Sequence, residues 1–91
     1  MEFGWDDAKA ARNLRIHGVS FEEAKTTFYD PLALMHADEE PSNEEARFML
    51  LGMSREGRLL MTLFAERAER IRIISSRRAT RREVRGHEKG I

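Results

Sequence analysis

The sequence contains no cysteine, no long apolar run and no net charge, and each absence narrows the possible functions. Without cysteine, the chain forms neither a disulfide scaffold nor a zinc site with thiolate ligands. No apolar stretch approaches the ~20 residues that span a bilayer. The start of the chain, with Glu2, Asp6 and Asp7, is acidic and therefore unlike a secretory signal peptide. We expect a protein of the reducing cytoplasm that has no membrane partner.

The length and the content of core-forming residues fit one small folded domain. A chain of 91 residues buries roughly two thirds of the surface that it exposes when unfolded. Leu, Ile, Val and Phe together number 20, which is just above the level of about 20% below which disorder becomes the default. We therefore expect a single domain over residues 1–91.

The zero net charge hides a strong asymmetry along the chain. The 16 Lys and Arg equal the 16 Asp and Glu, which argues against a nucleic-acid partner because phosphate binding normally shows as a basic excess. Residues 1–65, however, hold 7 basic and 12 acidic side chains, whereas residues 66–91 hold 9 basic and 4 acidic ones. Residues 1–65, the acidic body of the chain, therefore carry a charge of −5, and residues 66–91 carry a charge of +5. The basic segment is the candidate for binding an anion.

Helix signals occur at the start and at the end of the chain. Asp6 or Asp7 is suited to cap a first helix, and Gly18 is suited to end it in a left-handed conformation. Two capping boxes follow, in which a hydroxyl residue is separated by three positions from a glutamate. They predict a second N-terminal helix and a C-terminal helix, beginning at Ser20 and at Thr80.

Four segments between these helices have the pattern of β-strands. Apolar segments predict the first three strands. The second and third strands flank a turn that ends at Gly57, where a positive φ is favoured. Their ranges are 32–37, 47–53 and 59–65. Residues 70–75 alternate charged and β-branched side chains, which predicts a fourth strand with Ile71 and Ile73 facing the core.

These signals together predict an α+β fold. The element order is ααββββα, with two N-terminal helices, a four-stranded antiparallel sheet and a C-terminal helix. We expect the helices to cover one face of the sheet.

The arginines of the last strand and helix are the most informative feature. Guanidinium groups match phosphate oxygens bidentately, so this segment indicates RNA or DNA binding. The alternative is a solvated basic face that forms ordinary surface ion pairs. Its acidic partners would be Glu22, Glu23, Glu44 and Glu45. A DNA-reading helix-turn-helix is disfavoured because the second helix would begin with two of these glutamates.

The histidines do not have the spacing of metal ligands. His17, His36 and His87 are far apart in sequence, so we expect no metal site and no cofactor. His87 lies beside the arginine cluster and is suited to transfer a proton near pH 7. The alternative for His87 is an exposed residue near a fraying terminus.

Several segments in this order resemble the BrnT family of bacterial type II toxins over nearly the whole chain. The resemblance implies a RelE-like fold and an endoribonuclease that cleaves RNA, inhibits translation and stalls growth. It also implies a neighbouring BrnA-like antitoxin that neutralises the toxin, and operator DNA bound only through the toxin–antitoxin complex. The matching segments are residues 3–9, 13–21, 30–33, 52–54, 66–67 and 70–83.

The resemblance also implies roles for individual residues. Such toxins are similar to metal-free ribonucleases, in which the ribose 2′-hydroxyl attacks the adjacent phosphorus and arginines stabilise the developing charge. Arg72, Arg77 and Arg78 would hold the scissile phosphate. His87 stands where the family often has a tyrosine, and would supply an acid or a base. The RNA backbone would be guided by Arg67, Arg70, Arg81, Arg82 and Arg85.

Two other functions stay open from the residues alone. One is a non-catalytic nucleic-acid-binding module or repressor subunit, which predicts salt-sensitive binding without cleavage. The other is an interaction domain whose acidic body binds a basic partner. The sequence does not identify the general base that the ribonuclease reaction requires.

Overall fold

The computed structural model describes residues 1–38 and 45–89, which form one five-stranded sheet and three helices. The strands follow the order β1-β5-β4-β3-β2 across the sheet. Their bounds are β1 Glu2–Gly4, β2 Leu34–Ala37, β3 Ala46–Met53, β4 Leu59–Arg67 and β5 Arg70–Arg78. The helices are α1 Asp7–His17, α2 Phe21–Thr26, which continues into a 3-10 turn at Thr27–Tyr29, and α3 Arg81–Glu88.

The predicted four-stranded antiparallel sheet is wrong, because the sheet has five strands and is mixed. Strand β1 was not predicted, and it pairs with β5 in parallel, with Phe3 opposite Ile71. The other neighbouring strands are antiparallel, as expected. Strand β1 has only three residues, too few to show a period, and its partner begins far away at Arg70. No local pattern in the sequence indicates such a strand.

The predicted helix ends are confirmed. Gly18 has a φ of 68°, and its N–H donates a 2.9 Å hydrogen bond to the carbonyl four residues earlier. Ser20 Oγ accepts a 3.0 Å hydrogen bond from the backbone N–H of Glu23. Thr80 and Glu83 form both halves of a capping box at the start of α3. Local polar signals therefore determine where these helices begin and end.

The core lies between α2 and one face of the sheet. Ile71 and Ile73 are buried on this face, as predicted. Phe64 is in contact with two further rings, at centroid distances of 4.9 Å from Phe28 and 5.5 Å from Phe48. The buried cluster comprises Phe21, Ala24, Leu50, Phe64, Ile71 and Ile73.

A bulge in β5 determines which arginines share a face of the sheet. Arg72 lies opposite Ala65 on β4, whereas Arg77 lies opposite Met61, and the register shifts by one residue between them. Side chains alternate along a strand, so an odd separation normally places two residues on opposite faces. The extra residue brings Arg72 and Arg77 to the same face and turns Arg78 to the other.

Helix α3 lies on the face opposite the core, so the prediction that all helices cover one face is wrong. The guanidinium of Arg77 binds the carboxylate of Glu83 on α3, and Arg77 points away from the Phe64 side of the sheet. Leu51 and Met61, which point to the same side as Arg77, are each 6% exposed. The two faces therefore carry separate apolar layers.

Asn13 fixes α1 to the edge of β5. Its Nδ2 donates to the carbonyls of Val19 and Ser76, at 2.9 Å and 2.8 Å, and its Oδ1 accepts from the N–H of Ser76 at 3.1 Å. The side-chain amide thus satisfies both backbone groups of Ser76, as a neighbouring strand would. Asn13 is 6% exposed, so water does not replace these bonds readily.

Asn13→Ala is therefore expected to lower the free energy of unfolding by about 2–4 kcal/mol, because it leaves three buried backbone groups unpaired. Urea denaturation measures the change. Arg12→Ala, at the exposed neighbouring position, is the control and should change the stability by less than about 0.5 kcal/mol. Equal stability of the two variants would contradict the role of Asn13.

A buried ion pair joins α2 to the β3–β4 hairpin. Glu23 is 4% exposed, and its Oε2 accepts hydrogen bonds from Ser54 Oγ at 2.7 Å and from Arg58 Nε at 2.9 Å. Arg58 Nη2 also contacts Glu23 and donates to the Gly18 carbonyl at 2.9 Å. The bonds of Arg58 hold the pKa of Glu23 below its ordinary value. Glu23 is therefore a structural residue and not a surface charge.

Candidate nucleic-acid interface

A cleft of about 520 Å³ lies where β1 joins β5, and basic side chains dominate its walls. Strand β5 contributes arginines on the side away from the core, the end of β4 contributes another, and the first turn of α1 contributes a lysine. Against these four cations stand two carboxylates, one of which caps α1 through a 3.0 Å hydrogen bond to a backbone N–H. The cations are Lys9, Arg67, Arg70 and Arg72, and the carboxylates are Asp6 and Glu45.

Glu45 connects two of the cleft's arginines. One of its oxygens contacts Arg72 Nη2, and the other lies 3.9 Å from Arg67 Nη1. The Arg72 side chain is 45% exposed, and among the described residues only its Nη2 donates a hydrogen bond. Arg72 therefore keeps N–H groups for a ligand in the cleft.

Trp5 supplies an aromatic wall. The indole is half-buried and meets the Phe21 ring edge to face, with centroids 5.8 Å apart. The rest of the side chain lines the cleft beside Lys9. An aromatic surface beside phosphate-binding cations is the usual composition of sites for single-stranded nucleic acid.

Arg77 lies on the same sheet face as Arg72, but both of its Nη atoms are engaged. Its two Nη atoms donate to the two carboxylate oxygens of Glu83, at 2.9 Å and 3.0 Å. This bidentate pair raises the pKa of Arg77 and lowers the pKa of Glu83 to about 2. A phosphate on Arg77 would have to displace Glu83.

The lowered pKa of Glu83 predicts a pH-dependent contribution to stability. A carboxyl group with a depressed folded-state pKa stabilises the protein above its unfolded pKa, and this stabilisation disappears as the pH falls to about 2. Glu83→Gln keeps a capping-box side chain but removes the charge. Wild type should exceed this variant in unfolding free energy at pH 6, and the two should converge toward pH 2. A difference that is constant with pH would contradict the ion pair.

Three of the four predicted catalytic residues lie outside the cleft. Arg78 is exposed on the opposite face, where its charge contributes to lowering the pKa of Glu23. His87 is half-buried on α3, and its Nε2 is buried without a hydrogen-bond partner in the part of the chain that the structure describes. Arg77 is bound to Glu83 as given above. The structure thus does not assemble Arg72, Arg77, Arg78 and His87 into one site.

The predicted RNA-guiding arginines fall into two groups. Arg67 and Arg70 line the cleft with Arg72, and Arg70 Nε also lies 3.2 Å from Glu2 Oε1. The second group lies on the exposed side of α3, where within residues 1–38 and 45–89 no salt bridge involves it. Its members are Arg81, Arg82 and Arg85.

The alternative prediction, a solvated basic face that forms ordinary surface ion pairs, agrees with part of this arrangement. Glu45 does pair with cleft arginines, whereas Glu23 pairs with Arg58 inside the fold. Glu44 lies outside the described residues. The paired arginines nevertheless line a concave site, which a flat solvated face does not provide.

Sequence reasoning missed Trp5 and Lys9, and it named Glu45 only as an acidic partner of a solvated basic face. Trp5 and Lys9 stand in the opening segment on which the family resemblance rests, and this was the usable signal. Within residues 1–38 and 45–89, no three His, Asp or Glu residues are grouped to hold a metal ion. No helix of that part of the chain is long and apolar enough to cross a membrane.

Comparison with known proteins connects this geometry to a family. Residues 5–83 match the family model described as "Ribonuclease toxin, BrnT, of type II toxin-antitoxin system". The chain belongs to the BrnT family of ribonuclease toxins. The match begins at Trp5 and includes every charged residue of the basic cleft.

The fold is also that of a BrnT toxin of known structure. The crystal structure of the Brucella abortus ribonuclease toxin BrnT superposes with a TM-score of 0.67 at 23% sequence identity, over 89% of this chain and 99% of that chain. No curated protein matches the sequence significantly. As a member of this family, the chain is a ribonuclease toxin of a type II system. Such toxins have an antitoxin partner.

Proposed function

We propose that the protein is a metal-independent endoribonuclease that cleaves RNA in the cytoplasm, inhibits translation and stalls growth. The observation that carries this proposal is the cleft, in which Lys9, Arg67, Arg70 and Arg72 surround a space open to a single strand. Positioned guanidinium groups stabilise the negative charge that develops on phosphorus oxygens when the 2′-hydroxyl attacks. Arg72 is the residue that we assign to this role, because it retains free N–H groups and its side chain is the least exposed of the three cleft arginines, at 45%.

Incubation of the purified protein with single-stranded RNA in excess EDTA tests the proposal. Cleavage should continue in EDTA, because protein cations and not a metal stabilise the transition state. Intact RNA after prolonged incubation with folded protein, or cleavage abolished by EDTA and restored by a divalent cation, would contradict metal independence.

A BrnA-like antitoxin is the proposed partner, and operator DNA is bound only through the complex of the two. Expression of the protein in a bacterium should arrest growth, and co-expression of the product of the adjacent open reading frame should relieve the arrest. A neighbour that neither binds the protein nor restores growth would contradict this partner.

The basic side of α3 favours a second candidate, a non-catalytic nucleic-acid-binding subunit. Arg81, Arg82 and Arg85 are exposed there, away from the cleft, and each is free to contact a phosphate. This candidate predicts salt-sensitive RNA or DNA binding, weakened by Arg81→Ala and Arg85→Ala, with no cleavage products.

A further inference from the structure

Glu45 is positioned to act on the RNA that the cleft would bind. It approaches Arg72 with one carboxylate oxygen and Arg67 with the other, and its side chain is 27% exposed. Asp6, the other acid of the cleft, has an oxygen occupied by the cap of α1. In the described part of the cleft, both oxygens of Glu45 therefore face cations. Asp6, in contrast, is held at the start of a helix.

We propose that Glu45 is the general base of RNA cleavage, an inference that rests on the ribonuclease function proposed above. A phosphodiester held by the remaining N–H groups of Arg72 lies next to the carboxylate that Arg72 already contacts. The ribose 2′-hydroxyl is attached one carbon away from the 3′-oxygen of that phosphodiester. The scissile phosphate thus lies beside Arg72. The proton of the 2′-hydroxyl lies beside Glu45.

The proposed step moves one proton to Glu45 and exchanges one bond at phosphorus for another. Glu45 takes the proton of the 2′-hydroxyl while the 2′-oxygen forms a bond to phosphorus, and the bond from phosphorus to the 5′-oxygen of the next nucleotide breaks. The leaving 5′-oxygen takes a proton from water in the open cleft. The products are a 2′,3′-cyclic phosphate and a 5′-hydroxyl, and Glu45 then returns its proton to solvent.

Glu45→Gln tests the inference because it preserves the shape and removes the basic carboxylate. Cleavage at saturating RNA should fall at least 100-fold, since a general base typically contributes 10²–10⁴ to the rate. Affinity for the same RNA with 2′-O-methyl groups should stay within threefold of wild type.

Glu2→Gln is the matched control, because Glu2 pairs with Arg70 near the rim of the cleft but does not line it. This variant should cleave RNA within twofold of wild type. Glu45→Gln that cleaves within fivefold of wild type, while Arg72→Ala does not, would overturn the inference and leave the ribonuclease function standing. A tenfold loss of affinity for 2′-O-methyl RNA would overturn it too, since Glu45 would then be a positioning residue. Wild-type protein that leaves RNA intact would instead refute the proposed function itself.

Discussion

Arg72→Ala is expected to lower the rate of RNA cleavage by at least 100-fold. Arg72 lies in the cleft with N–H groups left for a phosphate, and loss of one donor to a developing oxyanion typically costs roughly 10²–10³ in rate. Arg72→Lys should recover only part of the activity, because an ammonium lacks the planar fork of a guanidinium. Single-turnover cleavage of a labelled RNA measures the effect.

The control for this prediction is an arginine of the same exposure outside the cleft. Arg15 is exposed in the last turn of α1, and Arg15→Ala should keep wild-type cleavage. Arg72→Ala should also unfold within about 1 kcal/mol of wild type, because its pair with Glu45 is partly exposed to solvent. If Arg72→Ala is as active as Arg15→Ala, the cleft is not where the phosphate is held.

Glu23→Ala is expected to lower the free energy of unfolding by about 3–5 kcal/mol. The change leaves Ser54 Oγ and two nitrogens of Arg58 without their acceptor, and each donor left unpaired away from water typically costs about 1–3 kcal/mol. For a domain of this size such a loss is a large share of the total stability. Urea denaturation at pH 7 measures it.

Glu22→Ala is the matched control for Glu23→Ala. Glu22 is the exposed neighbour in the first turn of α2, so its removal should cost no more than about 1 kcal/mol. The double change of Glu23 and Arg58 to apolar residues should be less destabilising than Glu23→Ala alone, because no buried charge is left unpaired. Equal stability of Glu22→Ala and Glu23→Ala would show that the pair is not structural.

The parts of the fold that follow from short-range patterns were predictable. Gly18, Ser20 and Thr80 marked helix ends correctly, and the alternation around Ile71 and Ile73 identified the buried face of β5. The parallel strand β1 was not predictable in the same way, since its three residues carry no period and pair with a distant segment.

The composition of the site was predictable only in part, for a related reason. The basic segment supplied Arg67, Arg70 and Arg72 to the cleft, but the bulge in β5 decided that Arg78 points elsewhere. Neither a one-residue bulge nor the capture of Arg77 by Glu83 is visible in the spacing of arginines. The other charged and aromatic walls of the cleft come from residues 5–9 and from Glu45, just before β3, which only the tertiary structure brings together.

The capping box at Ser20 and Glu23 shows how one motif has two outcomes. Its spacing predicted a carboxylate that returns to the helix start, whereas the Glu23 side chain is drawn to Arg58 and Ser54. The same spacing at Thr80 and Glu83 forms the full box, although Glu83 also binds Arg77. The difference depends on a cation brought close by the fold, which local sequence does not reveal.

The most direct test of metal-independent cleavage by the 2′-hydroxyl is made at one mapped site of an RNA substrate, in excess EDTA. The account predicts that wild-type protein leaves a 2′,3′-cyclic phosphate and a 5′-hydroxyl at that site, detected by mass spectrometry. A single 2′-deoxy substitution at the mapped nucleotide should abolish cleavage there and leave other sites unaffected. Cleavage that persists at the deoxy position, or that leaves a 5′-phosphate, would contradict the account.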